Sequence, residues 1–387
     1  MPRVSVILTS FNHGKYVENA IHSVLDQTFD DFELIIWDDA STDNSWDLIN
    51  QFTDPRIEAV RNAERRRAIW GLNRAISEVA SGQFIAIHHS DDIWEPAKLE
   101  KQVAFLDGHS NIGAVFTNAL AIGEVGSPLL DEKHFYFNVF DQPNRTRHEW
   151  LRFFFSGRNA LCHPSVLVRK CCYENCGLYR FGFAQLADMD MWIRLCMRYE
   201  IHVLPERLVR FRVRNNGANS SADTQETRIR TLYELYKLFQ NYRELRCFED
   251  LVRVFPSAAR LYRGEETDMQ FALAMVAVEE GRLSITRLFA LDLLFEIISD
   301  PQRAMAVKSL YGFDYKGFIA LTGMHDPFCS RDIADLSQAV AQRECQIRML
   351  VEERKKIFNS KSWKVTGPLR YLRRKTGHLL GESSRSR

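Results

Sequence analysis

The chain has 387 residues and a formal net charge of +1, from 51 Lys and Arg against 50 Asp and Glu. This near-neutral balance gives no electrostatic indication of nucleic-acid binding, and no apolar run reaches the roughly 18 residues of a membrane span. The N-terminal residues lack the pattern of a signal peptide, so a cytoplasmic protein is expected. Its eight cysteines do not have the spacing of a familiar zinc site and are expected to be reduced, unligated thiols.

The first half of the sequence alternates apolar runs with amphipathic stretches. Apolar residues recur at helical spacing between the runs, as they do over Tyr16–Leu25. This alternation predicts an α/β fold, with a mostly parallel sheet and helices on both faces. The predicted strands are Val4–Leu8, Phe32–Trp37, Ile57–Val60, Phe84–Ile87 and Ala114–Thr117.

Polar or acidic groups follow three of these strands. They are Thr9 with Phe11, Asp38 with Asp39, and Asp91 with Asp92, after the first, second and fourth strands. In parallel sheets, ligands bind beyond the carboxyl ends of the strands. Acidic pairs at that edge suit a ligand that offers hydroxyls and needs a metal for its phosphates, which indicates a nucleotide. Neither a G-x-G-x-x-G nor a P-loop motif is present, so the sequence does not support dinucleotide or P-loop chemistry.

Two adjacent carboxylates, Asp91 and Asp92, follow a buried apolar strand. They repel each other and favour a counter-cation. A hard divalent ion that is also held by water and phosphate fits that demand. The alternative is that one of the two carboxylates caps the helix predicted to begin near Glu95 and Pro96.

Several ordered motifs resemble the family 2 glycosyltransferases of GT-A fold. They are Val4–Asn12, Ser23–Phe29, Phe32–Asp43 and Ser90–Trp94. The resemblance covers about the first 220 residues and is more specific than any single motif. It implies an inverting enzyme that uses a nucleotide-diphosphate sugar and a divalent metal, Mn²⁺ or Mg²⁺.

The resemblance also implies roles for individual residues. Thr9 and Asp39 would contact the ribose and the base, with Phe11 beside the ring. Asp91 and Asp92 would form the D-x-D-like metal and diphosphate site. The first acidic position of that motif is His89 here, and histidine suits Mn²⁺ better than Mg²⁺.

A basic group after the third strand commonly faces the donor phosphates in this family. Arg65, Arg66 and Arg67 are the candidates, and Arg67 is assigned to the donor site. The alternative is a solvated basic turn. After the closing strand, Leu208–Asn215, the family commonly has a histidine; Arg214 stands there and is expected either to pair with the diphosphate or to be solvated.

The segment Leu186–Leu195 resembles the family motif that carries the catalytic base. By that match Asp188 is the base and Asp190 a supporting residue, while Ala187 replaces the family's first acid. Apolar residues at helical spacing place Asp188 in the first turn of a helix. The alternative is therefore that Asp188 only complements the helix dipole.

The resemblance implies sugar transfer to a hydroxyl of a glycan or lipid-linked acceptor during bacterial cell-surface polysaccharide synthesis. Two other functions stay open from the sequence. One is a sugar-nucleotide nucleotidyltransferase, although Thr9–Gly14 is poor in the glycines and basic residues of a triphosphate loop. The other is a non-catalytic scaffold that binds nucleotide sugars, suggested by His89 and Ala187 and opposed by Asp188.

Four segments are predicted along the chain: a GT-A domain at 1–225, a helical domain at 226–330, a possible coiled-coil helix at 331–358 and a basic amphipathic tail at 359–387. The coiled-coil pattern indicates a homo-oligomer, or a long helix packed on its own domain. Trp363 and Tyr371 stand among lysines and arginines in the tail. That composition predicts peripheral association with the inner face of the membrane, or a disordered basic tail.

Overall fold

The computed structural model describes residues 1–214 and 224–369. The chain divides into two compact units, Met1–His325 and Asp326–Arg387. Within the described residues, no helix combines the length and the apolar character needed to cross a bilayer.

An eight-stranded sheet forms the centre of the first unit, in the order β3-β2-β1-β4-β7-β6-β8-β5. Strands β3, β2, β1 and β4 run parallel, as do β6 and β8, whereas β7 and β5 pair antiparallel with their neighbours. The strands are β1 Val4–Ser10, β2 Phe32–Asp38, β3 Ile57–Arg61, β4 Phe84–His89, β5 Ile93–Trp94, β6 Ile112–Ile122, β7 Leu167–Arg169 and β8 Glu200–Arg212.

Helices cover both faces of this sheet and continue after it. Those that follow the first strands are α1 Val17–Leu25, α2 Ser45–Ile49, α3 Ala68–Arg74 (continued by a π turn, Ala75–Val79), α4 Lys98–Gly108, α5 Arg147–Phe155, α6 Lys170–Cys176 and α7 Ala187–Cys196. The later helices are α8 Gln225–Phe239, α9 Phe248–Val254, α10 Met269–Glu280, α11 Ser284–Ser299, α12 Pro301–Tyr311 and α13 Tyr315–Met324.

The central strands are apolar on both faces because both faces are covered. Along β1, Val6 and Leu8 belong to one buried cluster and Ile7 to the other. Successive side chains of a strand point to opposite faces, so each helical layer receives alternate residues. The same burial fixes the register, which sets Thr9 between Trp37 of β2 and His89 of β4.

The later helices share the core of the sheet domain. Phe239 of α8 packs against Phe155 of α5 with ring centroids 5.2 Å apart, and both are buried. The predicted boundary between 225 and 226 therefore falls inside one compact unit. The helical character predicted for 226–330 is observed up to α13, and the sheet is more mixed than its first four strands indicate.

The second unit consists of α14 Ser330–Asn359 and α15 Lys361–Val365. Trp363 lies in α15, with its ring 4.7 Å from that of Phe358. Lys361 and Lys364 lie on the same helix, whereas the other basic residues of the predicted tail and Tyr371 lie outside the described residues.

Candidate active site

The loops after β1, β2 and β3 meet at the carboxyl edge of the sheet and are tied to one another. The Asn12 Oδ1 atom accepts a hydrogen bond from the backbone N–H of Thr42 at 2.8 Å, and the Asn12 N–H donates to Ser41 Oγ at 2.9 Å. Each of the three loops contains one non-glycine residue in the left-handed region: Asn12, Ala40 and Arg67. Such residues cost free energy and cluster where surrounding contacts over-determine the backbone, often at functional sites.

Asp39 organises the loop that follows β3. One carboxylate oxygen accepts from Asn62 Nδ2 and from the Arg66 N–H, and the other accepts from the Arg67 N–H, at 2.7–2.8 Å. Asp39, which is predicted to contact the nucleotide of the donor, therefore also fixes the backbone of the basic loop at Arg66 and Arg67. Arg65 lies over the ring of Phe11 at 4.1 Å.

The structure thus gathers Thr9, Phe11, Asp39 and Arg67 around one edge of the sheet. Thr9 lies near the end of β1, and its carbonyl accepts the N–H of Ser90 at 3.2 Å. The side chain of Arg67 is exposed, whereas its backbone N–H is fixed by Asp39.

The end of β4 carries a group that we call the His-Asp-Asp cluster: His89, Asp91 and Asp92. One ligand atom of each lies within 4.8 Å of the others, and this is the one such group of His, Cys, Asp or Glu found among the described residues. Helix α4 has Ala97 as its N-cap residue and no side-chain cap. The alternative interpretation of Asp91 or Asp92 as a helix cap is therefore wrong.

Asp92 is 2% exposed, and its two oxygens differ. Oδ1 accepts the backbone N–H of Arg212 at 2.7 Å, while the buried Oδ2 has no hydrogen-bond partner and lies 3.5 Å from His89 Nδ1. Burial raises the pKa of Asp92, against the opposing effect of His89. A buried carboxylate oxygen without a partner is costly, so the cluster fits a bound cation.

The pKa of His89 depends on the same two carboxylates. Burial works to lower its pKa, but Asp92 and Asp91 outweigh that effect and raise it. Mn²⁺ readily binds one imidazole nitrogen together with two carboxylates, whereas Mg²⁺ prefers ligands that are all oxygen.

Arg214 faces the cluster from the end of β8. Its Nε lies 3.2 Å from Asp91 Oδ2, and its Nη1 lies 2.8 Å from His13 Nε2. Because a guanidinium only donates, His13 accepts at Nε2 and donates from Nδ1 to Ser90 Oγ, 2.7 Å away. Burial lowers the pKa of His13, which keeps this ring neutral. Arg214 is therefore a positive charge beside the cluster, as the diphosphate interpretation requires.

Sequence reasoning missed His13 and Arg212. The Nε of Arg212 donates to the Asp91 carbonyl at 2.7 Å, and its backbone N–H binds Asp92. The signal for His13 was its place in the loop after β1. For Arg212 it was the alternation of arginines with apolar residues along β8.

Asp188 lies in the first turn of α7 and is half-buried. Asn159 Nδ2 donates to Oδ2 at 2.8 Å, and the Met189 N–H donates to Oδ1 at 2.7 Å. Burial raises the pKa of Asp188, and the charge of His89 acts in the opposite direction. Two hydrogen bonds thus fix the carboxylate of Asp188, which also interacts electrostatically with His89 of the His-Asp-Asp cluster.

Asp190 is buried and bonded to protein groups. Arg194 Nε and Asn241 Nδ2 each lie 2.9 Å from its carboxylate, and Arg180 lies at 3.3 Å. These contacts fasten α7 to the turn after α8. The supporting role of Asp190 stays a prediction, and these contacts agree with it.

Glu234 of α8 provides a second contact that fixes the start of α7. Its carboxylate accepts three successive backbone N–H groups, those of Ala184, Gln185 and Leu186, each at 2.8 Å. Glu234 is 1% exposed. The later helices therefore contribute directly to the geometry of the candidate site.

Residues 5–169 match the model of glycosyl transferase family 2. The chain belongs to this family. The match contains Thr9, Phe11, Asp39, Arg67 and the His-Asp-Asp cluster. The resemblance stated from the sequence is confirmed. Asp188, Asp190 and Arg214 lie beyond the matched residues.

Curated relatives carry related names. The putative glycosyltransferase EpsE of Bacillus subtilis is 30% identical over 201 residues, which are 50% of this chain and 66% of that protein. The putative teichuronic acid biosynthesis glycosyltransferase TuaG of the same organism is 41% identical over 130 residues, 33% of this chain and 51% of that protein. An Escherichia coli protein, the UDP-Glc:alpha-D-GlcNAc-diphosphoundecaprenol beta-1,3-glucosyltransferase WfaP, is 36% identical over 107 residues, 28% of this chain and 42% of that protein. The chain thus spans between about two fifths and two thirds of these relatives' lengths.

A solved structure has the same fold. Residues 1–349 of Staphylococcus aureus TarS, crystallised with UDP-GlcNAc, superimpose with a TM-score of 0.51 at 15% identity, covering 81% of this chain and 93% of that one. The predicted GT-A fold with a C-terminal helical region is confirmed. Since the alignment covers more of the chain than residues 1–225, the likeness extends into the later helices.

Proposed function

We propose that this family 2 member transfers a sugar from a nucleotide-diphosphate donor to a hydroxyl of a glycan or lipid-linked acceptor, with inversion, in cell-surface polysaccharide synthesis. The observation that carries the proposal is the held carboxylate of Asp188 beside the His-Asp-Asp cluster at the carboxyl edge of the sheet. The relatives' names support the pathway: one specifies teichuronic acid biosynthesis, and another a UDP-Glc donor with a diphosphoundecaprenol acceptor.

The donor would lie along the edge formed by the loops after β1, β2 and β3. Thr9 and Asp39 would contact the ribose and base beside Phe11, and Arg67 would face the phosphates. Asp91, Asp92 and His89 would hold Mn²⁺ or Mg²⁺, which supplies positive charge to the departing diphosphate. Arg214 adds a fixed positive charge at the same place, since it lies 3.2 Å from Asp91.

The acceptor hydroxyl would lose its proton to a carboxylate oxygen of Asp188 as its own oxygen attacks the anomeric carbon. Burial raises the pKa of Asp188, which makes this group a stronger base than an exposed aspartate. Asn159 and the Met189 N–H hold the carboxylate in one orientation. Attack and departure at opposite faces of the sugar invert the anomeric centre in a single displacement.

A lipid-linked acceptor would require the protein at the cytoplasmic face of the membrane. In the described part of the tail, Trp363 lies on a short helix with Lys361 and Lys364. An aromatic ring among lysines suits the interface of an anionic membrane. We infer peripheral association through this segment.

Calorimetry with UDP-, GDP- and dTDP-sugars, with Mn²⁺ or with EDTA, tests the donor site. We expect binding of one donor class that EDTA abolishes, and we expect Asp92→Ala to lose both the metal requirement and most of the affinity. Asp26→Ala, which removes an exposed carboxylate at the end of α1, is the matched control and should bind as the wild type does. Equally tight, EDTA-insensitive binding by the wild type and Asp92→Ala would refute the assignment.

A further inference from the structure

Within the second unit, helix α14 presents an exposed apolar seam. Six apolar side chains along its 30 residues are between 49% and 66% exposed. They are Ile333, Leu336, Val340, Ile347, Leu350 and Ile357. A helix in a soluble protein gains most of its stability by packing its apolar face against other residues. We therefore expect a second helix to pack against this seam.

The seam follows a heptad repeat over its whole length. Isoleucine or valine occupies the a positions 333, 340 and 347, while leucine or isoleucine occupies the d positions 336, 350 and 357. β-Branched residues at a with leucine at d favour two parallel strands. From 333 to 357 the seam is about 36 Å long at 1.5 Å per residue.

Two arginines complete the repeat and select the orientation of the partner. Arg343 occupies a d position and is followed by Glu344 at e; Arg354 occupies an a position and is preceded by Glu353 at g. In a parallel, in-register pair, the hole around a d residue includes the partner's e residue, and the hole around an a residue includes the partner's g residue. Each arginine would therefore meet a glutamate of the second copy, which offsets the charge of the partner's own arginine in the same layer.

An antiparallel pair of the same two helices, centred on this seam, would bury the charges of Arg343 and Arg354 against apolar residues. Its layers would set Arg343 opposite Ile347 and Arg354 opposite Leu336, so that each arginine would enter an apolar layer. A parallel pair instead keeps the six apolar layers intact and confines the polar groups to two layers. Charge complementarity thus points to one arrangement.

We propose that α14 forms a parallel, in-register, two-stranded coiled coil with a second copy of this chain. The Arg343 and Arg354 layers fix its register through the glutamates of the opposite helix. The proposal goes beyond sugar transfer and does not rest on it, because the seam contains no residue of the candidate site.

Sedimentation equilibrium of the full chain tests the association. The expected mass is twice 45.0 kDa. Leu350→Glu should shift the protein to monomer, whereas Met349→Glu should remain dimeric. These neighbours are 63% and 66% exposed on the same helix, but residue 349 lies off the seam. Both variants should keep the melting temperature of the wild-type sheet domain.

Three outcomes would overturn the proposal: a monomeric wild type, which would leave α14 to pack within its own chain; a trimer or tetramer; or the same response from both glutamate variants. Donor binding measured on the same samples keeps this result separate from the proposed transferase function, which can fail or hold independently.

Orientation is tested by oxidation of Leu336→Cys in a Cys345→Ser background. A parallel pair places the two residues 336 side by side, so a disulfide-linked dimer should form rapidly. An antiparallel pair separates each residue 336 from its counterpart by about 27 Å at 1.5 Å per residue. No more crosslinking than in Cys345→Ser alone would refute the parallel arrangement.

The ion-pair layers are tested by charge exchange. Arg343→Glu and Glu344→Arg each create a like-charge contact across the pair and should weaken dimerisation at least about tenfold, equivalent to about 1.4 kcal/mol. The double variant restores opposite charges and should dimerise as the wild type does. Additive weakening in the double variant would overturn the proposed pairing.

Discussion

Replacing Asp188 by asparagine removes the candidate base while nearly preserving its shape. The new side chain keeps an oxygen that can accept the Met189 N–H, as Oδ1 does now at 2.7 Å. Its amide nitrogen, however, would face the Nδ2 of Asn159, which donates to Oδ2 at 2.8 Å in the wild type. Two donors cannot bond, so the substitution loses one hydrogen bond as well as the base.

The two effects on stability oppose each other. A lost hydrogen bond to a charged group costs about 1.5–3 kcal/mol, and less at a half-exposed site. Burial raises the folded-state pKa of Asp188 above its ordinary value, so the ionised carboxylate disfavours the folded state at neutral pH. A neutral amide relieves that penalty. We therefore expect a net change in unfolding free energy of about 1 kcal/mol or less.

The kinetic effect should be far larger. Loss of a general base lowers the rate by about a hundred- to ten-thousand-fold. Single-turnover transfer, donor affinity and melting temperature should be measured on one preparation. We expect transfer to fall at least about a hundredfold, with donor affinity unchanged.

The exchange Asn159→Asp with Asp188→Asn is the matched control. It returns one donor and one acceptor to the pair but moves the carboxylate to residue 159. The melting temperature should recover and transfer should stay low. Near-wild-type transfer by Asp188→Asn alone would refute the assignment of Asp188 as the base and would leave it the role of complementing the helix dipole.

Three further predictions follow from charges and contacts elsewhere in the chain. The rate of transfer should rise with pH as Asp188 loses its proton, and the apparent pKa of this rise should exceed that of an ordinary aspartate. An apparent pKa equal to that of an ordinary aspartate would contradict the raised pKa of Asp188. Glu234→Gln should lower the unfolding free energy by about 1–3 kcal/mol, measured by calorimetry, because one amide oxygen cannot satisfy three N–H donors; an unchanged melting temperature would refute this. Truncation after Phe358 should leave residues 1–325 folded and abolish flotation with anionic liposomes, an interaction that salt should also weaken; equal flotation of both proteins would give the tail another role.

The first four strands and the acidic edge were predictable because short apolar runs and polar loops encode them locally. The runs of β1, β2 and β4 are buried on both faces, whereas the edge strand β3 is only partly buried. Each run ends in polar residues, so the order of the motifs places Thr9, Asp39 and Asp92 at one edge. Helix α7 was predictable for the same reason, from apolar residues at helical spacing.

Contacts between distant segments were not predictable in this way. Arg212 reaches Asp92 because β8 pairs antiparallel with β5, where Arg210 lies opposite Ile93. A two-residue strand such as β5 leaves almost no periodicity in the sequence. The three-residue β7, which sets the antiparallel order of the sheet, is equally brief. Pairings of this kind depend on the whole fold and not on a local pattern.

Glu234 also bears on how such an enzyme can evolve. The family match ends at residue 169, yet a carboxylate on α8 fixes the backbone that leads into α7. An exchange of the later helices between relatives would preserve that backbone only if the incoming segment carried an acid at the same place. Recombination near residue 225 would otherwise disconnect Asp188 from its support, so the sheet and these helices are expected to be inherited together.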